Sequence, residues 1–132
     1  MTQVREAMLS EPLSLDARAS ARAAGEHLAI PDVRAVLVCD DGRLVGVVTR
    51  KTLVREVVAA GRDPGTTSLG EIAEPPIFTL QAEMDVDDAF HALEEHDLER
   101  VPVVDGERLV GVLARVVLQR RLAEDELPPE SE

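Results

Sequence analysis

The stretch Gly46-Val47-Val48-Thr49-Arg50-Lys51-Thr52 carries the residue types most able to do chemistry in this chain. It sets a hydroxyl and two cations where an apolar run ends and a helical pattern begins. A helix start offers free N–H groups and the positive end of its dipole, so a hydroxyl there favours phosphate or another small anion. Two cations at that end oppose the dipole, which hints at a bound anion. Thr49 also fits as a plain N-cap, a structural role worth about 1 kcal/mol. Other reactive side chains lack a chemical context. His27, His91 and His96 have no metal-ligand spacing. Cys39 sits in an apolar run and reads as a buried thiol. Asp40-Asp41-Gly42 is turn chemistry, not a carboxylate pair. No serine lies in a nucleophile elbow, and the Gly-rich stretch lacks P-loop spacing. No catalytic or metal-binding residues are expected, so the chain does not read as an enzyme.

The composition narrows the partners. The 132 residues carry 26 acidic and 14 basic side chains, for a net charge of −12. Phosphate contacts dominate nucleic-acid binding and need a basic surface, so nucleic acid is not expected. There is no Trp or Tyr, and Phe78 and Phe90 are the only aromatics, too few for a base-stacking platform. No apolar run approaches the ~20 residues of a membrane span. Met1–Ser10 has no apolar core, so no secretory signal is expected. The single cysteine excludes an intramolecular disulfide and fits a cytoplasmic protein.

The elements that must hold the motif occur twice. At an offset of 65, GRLVGVVTR (42–50) falls on ERLVGVLAR (107–115). Asp32, Val38 and Asp40 fall on Asp97, Val103 and Asp105, and Leu15, Ala17 and Ala24 on Leu80, Ala82 and Ala89. Each half reads as a short apolar strand, a helix, two strands around a turn, and a second helix. Ser20 and Asp85 are the N-cap candidates of the first helices. Val86, Ala89, Phe90 and Leu93 mark one helical face, and Ala17, Ala21, Ala24 and Leu28 mark its alanine-rich counterpart. Asp41-Gly42 and Asp105-Gly106 between β-branched runs signal hairpins. The second helices, Arg50–Ala60 and Arg115 to about Glu124, are expected to carry Leu53, Val54, Val57 and Val58, and Val116, Leu118 and Leu122, inward. Thr2 is the expected cap of a short leading helix. Residues 61–70, rich in Gly, Pro and Thr, read as a linker. The acidic tail, 125–132, reads as disordered.

A duplicated β-α-β-β-α unit with Pro102-Val103-Val104-Asp105, a turn, and Arg108-Leu109-Val110-Gly111 before a helix resembles the CBS domain, named after cystathionine β-synthase. His96–Leu113 is the most specific stretch, and the resemblance spans about residues 4–124. It implies an α/β (α+β) fold of tandem CBS repeats, a Bateman module, packed sheet to sheet about a pseudo-two-fold axis. The first domain would span 4–60 and the second 71–124. It also implies a stand-alone regulatory protein that pairs into a homodimer, binds an adenosine nucleotide such as AMP, ADP or ATP, or engages a protein partner. No cofactor is required.

The family's nucleotide motif is G-h-h-[T/S]-x-x-[D/N], where h is hydrophobic, the hydroxyl faces phosphate and the final acid takes both ribose hydroxyls. In the first half Gly46 and Thr49 match, but Thr52 stands where the acid belongs and cannot accept from both ribose hydroxyls. The resemblance completes this first site with Ser14, Ala35, Val36, Arg50 and Lys51. In the second half Ala114 and Val117 replace both polar positions. The second site, built from Thr79, Arg100, Val101, Pro102, Ala114, Arg115 and Val117, is expected to be degenerate. Unmade hydrogen bonds of this kind cost ~1–3 kcal/mol each. The rival expectation is an interaction module whose clefts no longer bind a ligand.

Overall fold

The computed structural model describes residues 2–76 and 78–126, the side chains of the last three excepted. It is a mixed α/β structure with two compact units. The first gathers Leu13–Ile77 and Glu107–Leu109, and the second gathers residues up to Pro12, Phe78–Gly106 and the chain from Val110 onward.

The first unit runs β1 (Ser14–Asp16), α2 (Ala21–Leu28), β2 (Ala35–Asp40), β3 (Arg43–Thr49) and α3 (Arg50–Leu53). The second runs β4 (Leu80–Gln81), α5 (Val86–Glu95), β5 (Arg100–Asp105), β6 (Arg108–Ala114) and α6 (Arg115–Glu126). Two short helices complete the chain, α1 (Val4–Ala7) and α4 (Leu69–Ile72). In each unit the short strand lies parallel to the next one, β1 on β2 and β4 on β5. β2 and β3 form an antiparallel hairpin that sets Ala35 opposite Thr49 and Val36 opposite Val48. Its turn places Asp41 (φ 54°) and Gly42 (φ 83°) in the left-handed region, the two-residue geometry that matches strand twist.

Caps and spacing set the helices. Ser20 Oγ accepts from Ala23 N at 3.2 Å, and Ala21, Ala24 and Leu28 then fall on one buried face. Asp85 Oδ2 accepts from Asp87 N at 3.0 Å, and Val86, Ala89 and Leu93 face the second core. The leading helix is capped by Gln3 rather than Thr2, through a reciprocal bond in which Glu6 accepts from Gln3 N.

Each core is completed by the segment that precedes the other repeat. Val4 lies in the core with Leu80, Ala89 and Leu113, while Leu69 and Ile72 lie in the core with Ala21, Val38 and Val48. Val4 and Leu69 are equivalent at the offset of 65. Leu9 exchanges two backbone hydrogen bonds with Val112, at 2.8 and 3.0 Å, and Glu74 exchanges two with Val47 at the same distances. Residues 61–70 also do more than connect. Carbonyls of Thr67 and Pro64 accept from Ala21 N and Arg22 N at 2.8 and 3.0 Å, which satisfies N–H groups that the helix itself leaves open.

The second helices depart from expectation. After α3 the chain widens into a π-helical turn, Val54–Val58. Leu53 and Val57 turn inward, but Val54 and Val58 stay 58% and 73% exposed. Val116 is exposed as well, while Leu118 is fully buried. A helix buries one stripe, so apolar residues adjacent in sequence to a buried one rotate out of it.

Candidate functional site

The first repeat's site forms where β3 runs into α3. Thr49 is extended (φ −120°, ψ 175°) and caps the helix. Its Oγ1 accepts from Thr52 N at 3.3 Å, and Thr52 Oγ1 accepts from Thr49 N at 3.1 Å. The two hydroxyls are 3.1 Å apart, so one donates to the other. Thr52 is 0% exposed. Its hydroxyl is therefore committed inward, and the position that a ribose acid would occupy offers no free oxygen.

The cations around it differ in use. Arg50 Nη2 donates to the Ile30 carbonyl at 2.9 Å and lies 3.4 Å from that of Pro31, tying α3 to the loop after α2. Lys51 is exposed. Arg34, also exposed, precedes Ala35, the cross-strand neighbour of Thr49. Among the described residues none of these three cations has a carboxylate within ion-pair distance.

The other residues expected at this site divide between surface and interior. Ser14 and Ala35 retain solvent contact. Val36 does not: it is fully buried in the core, so its side chain faces the core and not a base. Gly46 is buried under residues 73–74. A Cβ there would stand 2.6 Å from Ala73 Cβ and 2.9 Å from the Glu74 carbonyl oxygen. The glycine serves a close backbone approach. Ser14 also touches the Cys39 thiol. Burial pushes that thiol above its ordinary value of 9.0, the Ser14 hydrogen bond pulls it back, and Asp16 adds to the rise. Cys39 is thus held as a thiol, the unreactive form.

The second repeat spends the same positions differently. Ala114 is half-buried, Val117 is exposed and Val101 lies in the core. Thr79 and Pro102 are half-buried, and Arg100 is exposed. Arg115, equivalent to Arg50, lies 3.4 Å from Asp97 Oδ1 and 3.6 Å from Glu99 Oε1. Its N–H donates to the Glu99 carbonyl at 2.8 Å. Arg115 is thereby neutralised.

Two features escape a reading of the motif alone. One is Arg34, whose counterpart at the offset of 65 is Glu99, so the repeat alignment itself shows a reversal of charge. The other is an apolar groove of about 360 Å³ in the first unit, lined by Ala21, Gly25, Ala29, Leu53, Val57 and Val58. The counterpart of Gly25 is Phe90, which packs against the second core.

Among the described residues no three His, Cys, Asp or Glu side chains gather as a metal site. His96 stacks on Phe78 with ring centroids 4.7 Å apart. No helix among them is long and apolar enough to cross a membrane.

Comparison with known proteins identifies the repeated unit. The model of the CBS domain family matches twice, over residues 4–59 and 69–123. Hypoxic response protein 1 of Mycobacterium tuberculosis is 33% identical over 125 residues, covering 94% of this chain and 87% of that protein. A crystal structure of Hypoxic Response Protein I with two coordinated zinc ions superposes with a TM-score of 0.76 at 31% identity, covering 92% of this chain and 99% of that one. CBSX2 in complex with AMP shares the fold, with a TM-score of 0.74 at 23% identity and coverage of 96% and 100%.

Proposed function

The chain belongs to the CBS domain family, and from that membership we propose a non-catalytic regulatory module that senses a small anionic ligand at its first repeat. The observation that carries this reading is the contrast in charge at equivalent positions. Thr49, Arg50, Lys51 and Arg34 bring a hydroxyl and three cations to one end of the β2–β3 hairpin, with no described carboxylate partner, in a chain of net charge −12. The second repeat places Ala114, Val117, the exposed Arg100 and a carboxylate-paired Arg115 there, with Glu99 in place of Arg34. An anion would relieve the repulsion among the three cations of the first repeat.

The AMP held by CBSX2 makes AMP, ADP and ATP the first ligands to test. Thr52 cannot serve as the ribose acceptor, so a nucleotide would be held by its phosphates, and inorganic phosphate belongs in the same panel. Zinc, which Hypoxic Response Protein I coordinates, is not part of this reading, because the described residues gather no set of ligands for it. The module is assigned to the cytoplasm and works as a pair of copies. The exposed apolar side chains of Val54 and of Val58, which lines the groove, support the pairing.

Thermal unfolding with the panel tests the ligand. A true ligand at a hundred times its Kd stabilises by about 2.7 kcal/mol. Lys51→Glu and Arg34→Glu should abolish that gain, and Arg115→Gln should leave it. The spectrum of the purified protein adds a direct check. With no Trp or Tyr in the chain, bound adenine would stand out near 260 nm. No stabilisation and a flat spectrum would sink the reading. A pure interaction module would then stand, which the mutual capping of Thr49 and Thr52 and the carbonyl contacts of Arg50 already favour, since they use the site's polar groups internally.

A further inference from the structure

The groove in the first unit lies between α2 and the chain that runs on from α3. Ala21 and Gly25 line it on one side, Leu53 and Val57 on the other. The repeat offset shows what is missing from it. Ala21, Gly25 and Val57 stand where the second repeat has Val86, Phe90 and Leu122, with ten fewer side-chain carbons over the three positions. In the second unit those three residues share one apolar core with Leu118. In the first, about 360 Å³ stays open beside Leu53, the equivalent of Leu118. The largest missing piece is the benzyl group of Phe90. The wall opposite α2 is irregular as well, because Val57 belongs to the π-helical turn, a distortion frequent at functional sites.

The rim carries one cation and one carboxylate. Arg22 and Glu26 both stand on α2, both line the groove and both are exposed. Arg22 Nε lies 3.9 Å from Glu26 Oε2, a loose ion pair. Arg ahead of Glu is also the weaker order for such a pair on a helix. Each partner therefore keeps hydrogen-bonding capacity for a third group. A ligand of one charge would satisfy one of the two and be repelled by the other. A zwitterion satisfies both. In an α-amino acid one carbon joins the ammonium, the carboxylate and the side chain, so the charges can meet the rim while the side chain enters the hollow. The second repeat has Asp87 and His91 at these positions, and His91 Nδ1 lies 2.8 Å from the Asp87 carbonyl oxygen. It offers neither the hollow nor the charge pair.

We propose that the groove binds a free α-amino acid with a large apolar side chain, of which phenylalanine is the type. The ring fills the space left at Gly25, the carboxylate meets Arg22 and the ammonium meets Glu26. Burial of the ring supplies most of the affinity, because exposed ion pairs add little. The inference goes beyond the anion reading and does not depend on it, since no residue of the groove belongs to that site.

Calorimetric titration of the full chain with L-phenylalanine tests it, with thermal unfolding as the second readout. Saturable binding and a matching rise in melting temperature are expected. Glycine, which has the charges without the ring, should not bind. Phenylpropionate lacks the ammonium and phenylethylamine lacks the carboxylate, and each should bind at least about fivefold more weakly. Arg22→Gln and Glu26→Gln should weaken L-phenylalanine binding by a similar factor. Gly25→Phe, which sets a ring in the hollow, should abolish it, with circular dichroism to verify the fold. No saturable binding of L-phenylalanine up to its solubility limit would overturn the inference. So would undiminished binding by a folded Gly25→Phe, or equal binding of glycine or of either singly charged analogue. If Gly25→Phe misfolds, undiminished binding by both rim variants overturns it instead. A response to AMP or phosphate but not to L-phenylalanine would overturn this inference and leave the anion site standing. The opposite result would uphold the groove and sink the anion reading.

Discussion

The two repeats align residue for residue at the offset of 65, yet they have drifted in opposite directions at the same four places. Where the first has Arg34, Lys51 and Thr52, the second has Glu99, Val116 and Val117, and Gly25 faces Phe90 across the alignment. The first unit keeps cations and a hollow; the second neutralises its one retained cation, Arg115, and fills the hollow. Both units hold the same β-α-β-β-α order, although the closing helix of the first opens into a π-helical turn. Gly46 and Gly111, which the repeats share, are each pressed against the segment that leads into the other repeat. A motif glycine in this chain reports packing.

The largest test breaks the comparison by separating the repeats. A chain cut after Gly65 leaves one fragment without Leu69, Ile72 and the Glu74 bridge, and the other without Val4 and the Leu9 bridge. Losing a buried Leu costs about 2–5 kcal/mol, comparable to the whole stability of a small domain. Each fragment alone should lack cooperative unfolding by circular dichroism, and a mixture should regain it. Two independently folded fragments would mean that the exchanged segments are dispensable.

The next test sharpens the difference at one motif position. Thr52 is buried with its hydroxyl paired, whereas Val117 is exposed. Thr52→Val should cost about 1–3 kcal/mol, because the Thr49 N–H and hydroxyl lose their partner. Val117→Thr should stay within about 0.5 kcal/mol. Urea unfolding of the two variants checks the contrast. Equal costs would mean that the Thr52 hydroxyl does not support the Thr49 cap.

A smaller effect is expected from making the first repeat resemble the second. A Cβ at Gly25 would sit 3.7 Å from Leu53 Cδ1, ordinary contact. Gly25→Phe should fill the groove and gain about 1 kcal/mol, partly by removing a glycine from a helix interior. A variant no more stable than the wild type in thermal unfolding would mean that the hollow cannot accept the ring.

How much of this was legible in the sequence follows the range of the interaction. Caps and hairpins are local, and Ser20, Asp85 and the Asp41-Gly42 turn do what their residue types predict. The repeat itself was legible, and with it the family. What was not legible depends on partners far along the chain. Arg50 reads as a free cation until Ile30, twenty residues earlier, accepts from it. Val36 reads as a ligand contact until the core closes over it. Residues 61–70 read as a linker, although their carbonyls close the start of α2. Val54 and Val58 read as core because nothing in the local pattern marks a π-helical turn. The expected tail, 125–132, lies almost wholly outside the described residues.

The smallest expected effect concerns the two leading helices, the segments that the repeats exchange. Both start with a capping box, but they are not equal. Glu71 accepts from both the backbone N–H and the hydroxyl of Ser68, each at 2.9 Å, while Glu6 accepts from Gln3 N alone. The Ser68 backbone bond, then its hydroxyl, and last the charge of Arg62 hold the Glu71 carboxyl below its ordinary value of 4.5, against a slight opposing push from burial. A depressed folded value means that the unfolded chain binds the proton first as acid is added. The contribution of Glu71 is therefore complete above 4.5 and is lost as pH falls through its lowered value. Glu71→Gln should flatten that part of the stability curve and leave stability at pH 7 slightly reduced, because a neutral amide accepts the same bonds more weakly. Ser68→Ala should do the same through the hydroxyl alone, with the backbone bond retained. Denaturant midpoints measured from pH 3 to 7 read both. If the acid limb of the curve is identical in wild type and Glu71→Gln, the α4 cap does not titrate with folding, and the two leading helices are equivalent in this respect after all.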